Sequence, residues 1–585
     1  MCGIFGLVGK NLSINIDDCL DSIKHRGPDD SGQYRDKNII LGFRRLSIID
    51  LSPHGHQPMT NEDKSVWIIF NGEIYNYQEL KKDLVEEHRF VSDSDTEVLI
   101  HGYEQWGIDG LLKKINGMFA FCLYDKKKQI TYLIRDRIGK KPLYYYRKNN
   151  YIAFSSETKA FFHLKGFKFD INQEMFDLWM GFPYLPDNNQ TLINNVNKIP
   201  PASYARIDRD NKVTINKYWQ LPTIEISLDF SSAVNQLDKL LVDSVKKRLI
   251  ADVPVGILLS GGIDSSLITA IASHHSSSQI RTITISFKNT VIDDYKSANF
   301  VAHHCKTNHT NLFLDVKNIY QTFKDDIRIY DDLSTSDSGL FSEYLLAKEI
   351  RKLGVKVALV GEGADEIFAG YTWFQLSQYP FSLFPNKIKS YLYYYAIMRT
   401  LPGKRFFKYG NFLSDKLNEH HRSFLKKIQQ YEIQYSLPNH YCMKVDKGTS
   451  DASIEARSPF MDYRIIELAS KLPDNYLLNS KFYQPKAVNE KHILRKVAEK
   501  YLPNEISYKK KKGGMMPVYD LLNIGLRQDN QLILNNHYIL GFFGLEYIKK
   551  LLNSSPSLTF LKWQKEWILW KCLIFALWFD YYSNY

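Results

Sequence analysis

The second residue of the chain carries a thiol that is placed to act as a nucleophile. Cys2 lies between Met1 and Gly3, and a small second residue normally permits removal of the initiator methionine. The thiol and a free α-amine would then belong to the same residue. That amine has an ordinary pKa of about 7.7–8.0, so it can accept the thiol proton without a separate histidine. A cysteine at position 2 is more often incidental, so this interpretation depends on the residues that follow.

A series of short motifs follows Cys2 in the first 145 residues. In chain order they are Cys2-Gly3-Ile4-Phe5-Gly6, His25-Arg26-Gly27-Pro28-Asp29, Arg45-Leu46-Ser47-Ile48, Asn71-Gly72-Glu73-Ile74-Tyr75-Asn76, Ser94-Asp95-Thr96-Glu97, Gly117-Met118-Phe119-Ala120-Phe121, Arg135-Asp136-Arg137, Gly139 and Lys141-Pro142-Leu143-Tyr144. In order and spacing they resemble the class II glutamine amidotransferases, whose nucleophile is an N-terminal cysteine. The resemblance implies that Cys2 hydrolyses glutamine and releases ammonia.

The same resemblance implies a binding site for glutamine. Arg45 would hold the substrate carboxylate bidentately, and Asp95 together with Glu73 would hold its ammonium group. Asn71 and the backbone N–H of Gly72 would form an oxyanion hole for the tetrahedral intermediate, and we count both with the nucleophile as catalytic residues. The structural alternatives are an interior ion pair between Arg45 and Asp95, and a plain turn at Asn71-Gly72 that ends the preceding strand.

A glycine-rich segment in the second half of the chain has the character of a phosphate-binding loop. The apolar run 255–259 leads into Ser260-Gly261-Gly262-Ile263-Asp264-Ser265-Ser266, which precedes a predicted helix. Glycines, hydroxyl groups and a helix N-terminus together expose donors to an anionic phosphate. The segment is not GxxxxGK[ST], which disfavours a Walker-type phosphate transferase. It resembles the pyrophosphate loop of enzymes that cleave ATP between the α and β phosphates.

A second acidic segment follows the apolar run 355–360 and reads Gly361-Glu362-Gly363-Ala364-Asp365-Glu366. Asp264 and Asp365 are predicted Mg²⁺ ligands, because hard cations prefer carboxylate oxygens. Glu362 is a predicted catalytic residue that positions the acceptor or an adenylate. A polar loop with helix-capping acids is the structural alternative. The residues predicted to bind ATP are Leu258, Ser260, Gly261, Gly262, Asp264, Ser265, Ile285, Gly361 and Lys491.

Together the two halves resemble the glutamine-hydrolysing asparagine synthetase family over nearly the whole chain. The stretch Tyr441 to Asp462, with Glu455-Ala456-Arg457-Ser458-Pro459-Phe460, belongs to this resemblance. The implied reaction converts aspartate, ATP and glutamine into asparagine, AMP, pyrophosphate and glutamate, with a β-aspartyl adenylate formed first. Lys491 would steady the phosphates as charge shifts to pyrophosphate. Ammonia would travel inside the protein, because water at neutral pH would protonate it.

The acceptor is less well determined than the nitrogen donor. No arginine occurs between Tyr330 and Glu349, where well-studied asparagine synthetases have threonines and an arginine for the carboxylate of aspartate. Residues 368–371 read Phe-Ala-Gly-Tyr where Phe-Gly-Gly-Tyr is usual, so Ala369 replaces a glycine. A related enzyme that amidates another carboxylate, such as a uronic acid of a cell-surface polysaccharide, is therefore the second hypothesis. The third hypothesis is an inactive, basic scaffold that binds RNA or a partner. The presence of Cys2, Asp264, Glu362 and Asp365 argues against it.

The hydrophobic patterns predict an α/β protein in two parts. Short apolar runs at 4–8, 66–70, 118–124 and 130–134 predict an N-terminal-nucleophile antiparallel β-sandwich with helices over residues 2–215. Runs at 255–259, 280–287 and 355–360 alternate with helical periodicity and predict an open parallel α/β sheet of the ATP-pyrophosphatase type over residues 225–585. Residues 371–425 are rich in Tyr and Phe and predict an irregular helical insertion that forms packing surface. Ser94 and Glu97 have the spacing of a helix-capping box.

The composition of the chain disfavours several other classes of protein. The net charge is +12 in 585 residues, but the only dense basic run is Lys509 to Lys512, so nucleic-acid binding is disfavoured. The six cysteines form no CxxC pair, which disfavours a disulfide framework or a zinc site. The apolar stretch 568–579 is interrupted by Lys571 and is too short for a membrane span, so it predicts a buried helix. We expect a cytoplasmic enzyme with small-molecule substrates, ATP and Mg²⁺, and with a homodimer as its assembly.

Overall fold

A computed structural model of the chain describes residues 1–148, 150–287, 294–314, 318–398, 403–418, 422–479, 489–509, 518–554 and 558–585. Within these ranges the strands form three sheets. The strands are β1 (Gly3–Gly9), β2 (Asp30–Arg35), β3 (Ile39–Arg45), β4 (Met59–Thr60), β5 (Val66–Ile74), β6 (Gly117–Asp125), β7 (Ile130–Arg135), β8 (Tyr144–Lys148), β9 (Tyr151–Ser155), β10 (Val196–Lys198), β11 (Ser203–Ile207), β12 (Val213–Lys217), β13 (Val255–Leu258), β14 (Arg281–Phe287), β15 (Asn308–Leu314), β16 (Val357–Leu359) and β17 (Glu455–Arg457).

Helices cover most of the remaining described chain. They are α1 (Asp17–Ser22), α2 (Tyr77–Leu84), α3 (Asp95–Lys114), α4 (Gln173–Met180), α5 (Phe230–Leu249), α6 (Ile263–His275), α7 (Asp294–His304), α8 (Ile319–Asp325), α9 (Gly339–Lys352), α10 (Ala364–Ile367), α11 (Asn386–Met398), α12 (Lys404–Asn418), α13 (Phe424–Tyr431), α14 (Cys442–Ser450), α15 (Tyr463–Lys471), α16 (Asp474–Leu477), α17 (His492–Ala498), α18 (Asn504–Ser507), α19 (Val518–Gln528), α20 (Asn530–Asn535), α21 (His537–Phe543), α22 (Leu545–Asn553) and α23 (Thr559–Ser583). A π-helical segment, Glu432–Tyr441, joins α13 to α14.

The N-terminal half is a sandwich of two antiparallel sheets. One sheet has the strand order β10-β8-β9-β1-β3-β2, and the other has the order β12-β11-β7-β6-β5-β4. Side chains from both sheets form one buried core, in which Ile4 and Phe43 of the first sheet meet Ile69 and Leu133 of the second. Burial of the facing side chains between two packed sheets is what a sandwich requires. The predicted antiparallel sandwich is therefore confirmed.

The C-terminal half contains a five-stranded parallel sheet with the order β15-β14-β13-β16-β17. β13 pairs in parallel with β14 on one side and with β16 on the other. The chain therefore leaves β13 in one direction and later returns to its opposite side, which creates a topological switch point. Ligands of open α/β sheets bind outside the carboxyl ends of the strands at such a point. The loops 259–262 and 360–363 follow β13 and β16 and lie there, and the predicted parallel sheet is confirmed.

One structural alternative in the N-terminal half is not realised. Asn71 and Gly72 do not form a turn that ends a strand, because both residues lie inside β5, which continues to Ile74. Gly72 is aligned with Phe119 of β6 in an uninterrupted antiparallel ladder. A Cβ at Gly72 would lie 2.1 Å from the carbonyl oxygen of Met118. The glycine is therefore required by the close approach of the neighbouring strand and not by a turn.

The predicted helix start near residue 94 is confirmed, but its capping box is not formed. Ser94 caps α3, and its side chain accepts a hydrogen bond from the backbone N–H of Thr96. The Glu97 carboxylate accepts instead from the backbone N–H groups of Val91 and Ser92. Glu97 thus fixes the segment that precedes the helix, which places Asp95 at the first helical position.

The aromatic segment and the C-terminal helix α23 both form hydrogen bonds to residues 177–182 of the N-terminal half. Residues 371–425 form two short 3₁₀ turns, α11, α12 and the start of α13 in their described part. Tyr394 and Tyr409 donate hydrogen bonds to the backbone carbonyls of Gly181 and Asp177 in the N-terminal half. α23 is buried from Ile568 to Trp578, as predicted. No helix in the described part of the chain combines the length and the apolar character that a membrane span needs.

Candidate active sites

The thiol of Cys2 lies at the start of β1, next to a small polar cavity. Its Sγ atom is 3.9 Å from the carbonyl oxygen of Leu46. Burial raises the pKa of this thiol above its ordinary value. In the structure Met1 precedes it and is itself buried, and burial lowers the pKa of the Met1 α-amine to about 5. This amine belongs to Met1, so the proton acceptor predicted from the sequence, the α-amine of Cys2, is exposed only after Met1 is removed.

The structure brings the predicted glutamine-binding residues together around this cavity. Cys2, Arg45, Gly72, Glu73 and Asp95 all line it. They come from the residue before β1 and from β3, β5 and α3, which are far apart in sequence. Polar groups of both charges therefore meet within reach of one thiol. An amino acid with a carboxylate, an ammonium group and a side-chain amide matches this combination.

The guanidinium group of Arg45 is buried against backbone oxygens. It donates to the carbonyl of Ser52 at 3.1 Å and to that of Ile49 at 3.4 Å, and also to the carbonyl of Asp50. Within the described residues Arg45 forms no ion pair, so the alternative of an Arg45–Asp95 pair is not realised. A buried guanidinium without an anionic partner is suited to bind a carboxylate.

The two acids predicted to hold the ammonium group differ in their surroundings. Glu73 Oε2 lies 2.6 Å from Nη2 of Arg457, so this carboxylate already has a cationic partner. Asp95 Oδ2 accepts a hydrogen bond from the backbone N–H of Ile74 at 2.8 Å. Burial raises the pKa of Asp95 to about 7, and the nearby Glu455 acts in the same direction. Of the two, Asp95 is the carboxylate that gains most from a ligand ammonium group.

The side-chain amide of Asn71 is fully buried, and Asn71 itself does not line the cavity although its β5 neighbours Gly72 and Glu73 do. Neither its nitrogen nor its oxygen has a hydrogen-bond partner in the described part of the chain. A buried amide normally forms hydrogen bonds, and leaving it without a partner costs about 1–3 kcal/mol. The arrangement is typical of a donor that is held ready for a ligand atom.

Glutamine binding should depend on pH through Asp95. Because the pKa of Asp95 is raised to about 7, the carboxylate is largely protonated at pH 6 and largely ionised at pH 8. We expect the KM for glutamine to fall by about tenfold between these pH values, since only the anion holds an ammonium group. Steady-state glutaminase assays across this range measure the effect. Asp95→Asn should have a high KM that no longer changes with pH, and an unchanged pH profile in this variant would contradict the assignment.

The phosphate-type loop follows β13 as predicted. Ser265 Oγ accepts a hydrogen bond from the backbone N–H of Ser260 at 3.1 Å and lies 3.0 Å from the Ser260 hydroxyl. Gly261 has a φ of 73°, in the region that favours glycine. α6 begins directly after Gly262, so its first N–H groups face the same space. The loop therefore presents hydroxyl and backbone donors at the carboxyl edge of the sheet.

Lys491 joins the two predicted metal ligands. Its Nζ atom lies 2.7 Å from Asp264 Oδ2 and 2.8 Å from Asp365 Oδ1, and the side chain is only 4% exposed. Burial acts to lower the pKa of Lys491, but the two carboxylates outweigh it and raise the pKa. The cation and both acids thus form one cluster between the loops that follow β13 and β16. This set contains the oxygen donors that Mg²⁺ prefers and the cation that a polyphosphate requires.

Glycines allow these loops to approach each other. A Cβ at Gly361 would lie 3.1 Å from the Cβ of Asp264, and Gly363 has a φ of 93°. Leu258 and Ile285, two of the residues predicted to bind ATP, are partly buried and pack on the same small apolar cluster beside the loop. All nine predicted ATP-binding residues therefore fall at this edge of the sheet or in the cluster beside it.

Glu362 is part of a charged group that the sequence analysis did not identify. Lys444 Nζ lies 3.5 Å from Glu362 Oε1 and 3.9 Å from Glu343 Oε1. Burial raises the pKa of Glu343 to about 7, and the nearby Glu362 adds to this. Lys444 lies on α14 just before the Glu455 motif, in a stretch that belongs to the family resemblance. The family resemblance of this stretch could have marked Lys444 as a functional residue. The pairing of Lys444 with Glu362, however, depends on tertiary structure.

A second small cavity lies between the two sites. Met1, Met118 and Lys141 line one part of it and Glu362 lines another, and its volume is about 30 Å³. β17 separates it from the Cys2 cavity, because Glu455 faces the first cavity and Ala456 faces the second. That volume has room for a molecule of the size of water or ammonia.

The fold and the two sites define a class of protein. An N-terminal-nucleophile sandwich with a thiol at residue 2 is the architecture of a glutamine amidotransferase. A parallel sheet with a Ser/Gly loop at its switch point is the architecture of an ATP-pyrophosphatase-type synthetase.

Family models match both halves of the chain. Residues 1–219 match the glutamine amidotransferase domain, and residues 236–580 match the asparagine synthase family. The chain therefore belongs to the asparagine synthase family, and it is a glutamine-dependent, ATP-using ligase.

Three relatives illustrate the similarity. Asparagine synthetase [glutamine-hydrolyzing] 1 of Bacillus subtilis is 30% identical over 625 aligned positions, covering 99% of this chain and 96% of the relative. Putative asparagine synthetase [glutamine-hydrolyzing] 2 of Methanocaldococcus jannaschii is 36% identical, covering 63% of this chain and 76% of the relative. Asparagine synthetase B [glutamine-hydrolyzing] of Escherichia coli is 28% identical, covering 87% of this chain and 81% of the relative.

Proposed function

We propose that the protein hydrolyses glutamine at Cys2 and uses the ammonia to amidate a carboxylate that ATP has activated. The observation that carries the glutaminase part is the buried amide of Asn71, which has no hydrogen-bond partner among the described residues and lies on the strand whose next residues, Gly72 and Glu73, line the Cys2 cavity. We place the glutaminase in residues 2–215 and the synthetase in residues 225–585. Because all six cysteines are free thiols, we propose the reducing cytoplasm as the compartment.

In the proposed first reaction, removal of Met1 leaves an α-amine on Cys2 itself. This amine accepts the thiol proton, and the sulfur attacks the side-chain carbonyl of glutamine. Asn71 and the Gly72 N–H stabilise the oxyanion, while Arg45 and Asp95 hold the two ends of the amino acid. Ammonia leaves with the proton taken from the thiol, and water then releases glutamate from the thioester.

In the proposed second reaction, the acceptor carboxylate attacks the α-phosphorus of ATP and displaces pyrophosphate. The Ser260–Ser265 loop and Lys491 bind the phosphates, and Asp264 and Asp365 would hold Mg²⁺, which supplies charge neutralisation when bound. Glu362 lies where it can orient the acceptor. Ammonia then attacks the activated carbonyl, AMP leaves, and an amide remains.

The small cavity between the sites supports internal transfer of ammonia. Met1 lines it in the structure, so removal of this residue enlarges the space next to Cys2. Its other wall includes Glu362, which pairs with Lys444 in the synthetase half. A buried route keeps ammonia from protonation in bulk water, which would abolish its nucleophilicity.

Two acceptors fit this chemistry. Aspartate is the acceptor that the names of the relatives indicate. A larger carboxylate, such as a uronic acid, is favoured by one structural observation. A cavity of about 480 Å³ lies beside the charged group of Glu362, Lys444 and Glu343. That volume is in the range of drug-sized ligands and exceeds the needs of a single small amino acid.

A pyrophosphate-release assay with ATP, Mg²⁺ and glutamine tests the proposal and distinguishes the acceptors. We expect release only when a carboxylate acceptor is present. Asparagine formation from aspartate would identify the first acceptor. Release with a uronic acid but not with aspartate would identify the second. No release with any carboxylate, in a preparation that hydrolyses glutamine, would contradict the ligase half of the proposal.

A further inference from the structure

The segment from Tyr379 to Phe407 exposes several large apolar side chains. Seven of them have exposed fractions between 37% and 72%, namely Tyr379, Phe381, Leu383, Phe384, Ile388, Tyr395 and Phe407. Every residue from Tyr379 to Ile388 is exposed, including the whole 3₁₀ turn Phe381–Leu383. Scattered apolar side chains are normal at a protein surface, but a continuous group of them marks an interaction site. We call these seven side chains the apolar surface.

The members of the apolar surface are neighbours on the α11–α12 pair and on the turn before it. The rings of Phe381 and Phe384 have a centroid separation of 6.3 Å. Ile388 and Tyr391 are three residues apart on α11 and therefore adjacent on the same side of the helix. The ring of Tyr391 lies 5.9 Å from that of Phe407 on α12. The exposed side chains thus form one surface and not separate patches.

The opposite side of α11 is packed into the protein. Tyr393 and Tyr394 are buried. The hydroxyl of Tyr393 donates to Glu432 Oε1 at 2.7 Å, and that of Tyr394 donates to the carbonyl of Gly181 at 3.0 Å. α11 is therefore attached on one side and presents the apolar surface on the other.

The charges of this part of the chain are positive. The stretch 367–414 contains six lysines or arginines and no aspartate or glutamate. Lys387 and Lys404 are exposed, next to Ile388 in sequence and one helical turn before Phe407. Lys408 is also exposed, although its Nζ lies 3.8 Å from Asp177 Oδ2 of the N-terminal half. The apolar surface is thus bordered by lysines and complements a surface that is both apolar and negative.

A membrane surface with anionic lipids has both of these properties. Aromatic side chains are favoured where the polar and apolar layers of a bilayer meet, and lysines beside them are attracted to anionic head groups. A second copy of the chain fits less well. In a symmetric contact the same positive surface would face itself, and like charges repel.

We propose that the apolar surface docks the protein on a membrane surface that contains anionic lipids. The apolar side chains would enter the boundary between head groups and acyl chains, as those of interfacial helices do, and Lys387 and Lys404 would contact the head groups. Docking needs no turnover, so it is independent of the proposed ligase function and goes beyond it.

Vesicle flotation with the full-length protein tests docking. The probes are vesicles of phosphatidylcholine alone and vesicles of phosphatidylcholine mixed with phosphatidylglycerol. We expect a partition coefficient at least about tenfold higher on the anionic vesicles, because each lysine near such a surface is attracted to it. Added salt should lower this coefficient, since salt screens exposed charges.

Two double variants separate the apolar contribution from the charged one. Leu383→Ser with Phe384→Ser should lower the partition coefficient on anionic vesicles by at least about tenfold, because less apolar surface enters the bilayer. Lys387→Gln with Lys404→Gln should lower it by about tenfold and weaken its dependence on salt. All four side chains are exposed, so glutamine hydrolysis and the Tm should stay unchanged.

The hairpin of β11 and β12 offers matched controls in the N-terminal half. Ile215 and Lys212 are exposed there. Ile215→Ser and Lys212→Gln remove an exposed aliphatic side chain and an exposed cation at a distance from α11 in sequence. Neither change should alter the partition coefficient on either kind of vesicle.

The outcomes distinguish the occupants of the apolar surface. Equal binding to both kinds of vesicle, or binding to neither, would overturn the proposal. Self-association in sedimentation velocity that disappears in the Leu383→Ser, Phe384→Ser variant, without vesicle binding, would assign the surface to a contact between two chains and would also overturn it. A protein that floats with anionic vesicles but releases no pyrophosphate with any acceptor would support docking and count against the proposed ligase activity.

Discussion

Replacement of Cys2 by serine should reduce glutamine hydrolysis by at least about 10³-fold, because a hydroxyl is far harder to ionise than a thiol. The synthetase site lies in the other half of the chain. Pyrophosphate release with ammonium chloride in place of glutamine should therefore stay within about twofold of the unmodified protein. Parallel assays of glutamate and of pyrophosphate measure the two effects. Cys305→Ser is the matched control, since this half-buried thiol follows α7 and should affect neither assay.

An N-terminal extension provides a second test of the same residue. A tag that cannot be removed leaves Cys2 without an α-amine of its own and fills the space that Met1 occupies in the structure. We expect glutamine hydrolysis to be lost with the thiol intact, and to return after the tag is cut immediately before Cys2. Full glutaminase activity in the uncleaved protein would show that the α-amine is not the proton acceptor.

The elements that position the two sites were largely predictable from the sequence. Strands such as β1 and β13 are continuous apolar runs, and burial on both faces leaves such runs few alternatives. The loop 260–265 follows a buried strand and precedes a helix, and this local order fixes its place at the carboxyl edge of the sheet. Local sequence was sufficient here because each feature depends on neighbouring residues.

Features that depend on pairing between distant residues could not be predicted in this way. The residues Asn71-Gly72 have turn chemistry, yet the ladder with β6 extends the strand through them. Arg457 belongs to the motif 455–460, but its contact with Glu73 requires that β17 pack against the glutaminase site. The fold decides which oppositely charged residues come close together, so their pairing is a property of tertiary structure.

The cavity of about 480 Å³ illustrates the same limit. Its tryptophans are spread from Trp373 to Trp570, and their spacing has no local meaning. The aromatic segment 371–425 was interpreted as packing surface, and Tyr394 and Tyr409 do serve that role. Trp373 and Tyr393 from the same segment face the cavity instead. Composition identified an unusual segment, but only the fold distinguishes its two faces.

Replacement of Lys491 by methionine should reduce pyrophosphate release by about 10²–10³-fold, since a preorganised cation is removed from the developing charge of the leaving group. Methionine keeps most of the side-chain length, so the packing of the stem should be retained. Glutamine hydrolysis should remain unchanged, which controls for general unfolding. Lys500→Met is the matched control, because Lys500 also pairs with an aspartate, Asp238 at 2.9 Å, but lies exposed and away from the loops.

The same variant tests the predicted metal ligands without an activity measurement. Asp264 and Asp365 lose their shared cation in Lys491→Met, so their pKa values in the folded variant should rise above those in the unmodified folded protein. A higher carboxyl pKa in the folded variant lowers its free energy of unfolding at pH values above the unfolded pKa of about 3.9. This loss of stability disappears as the pH falls below that value. The Tm difference from the unmodified protein should therefore be largest near pH 7 and small near pH 4.

Mg²⁺ should restore part of that stability if the two aspartates are its ligands. A divalent cation that binds only the folded state raises the Tm in proportion to its binding free energy, and the variant offers it two carboxylates that Lys491 no longer neutralises. Mg²⁺ should thus raise the Tm of Lys491→Met more than that of the unmodified protein. Adding Asp365→Asn should abolish the difference, because one ligand is then lost. An equal Tm response in all three proteins would contradict the assignment of Asp264 and Asp365 as metal ligands, whatever the effect on pyrophosphate release.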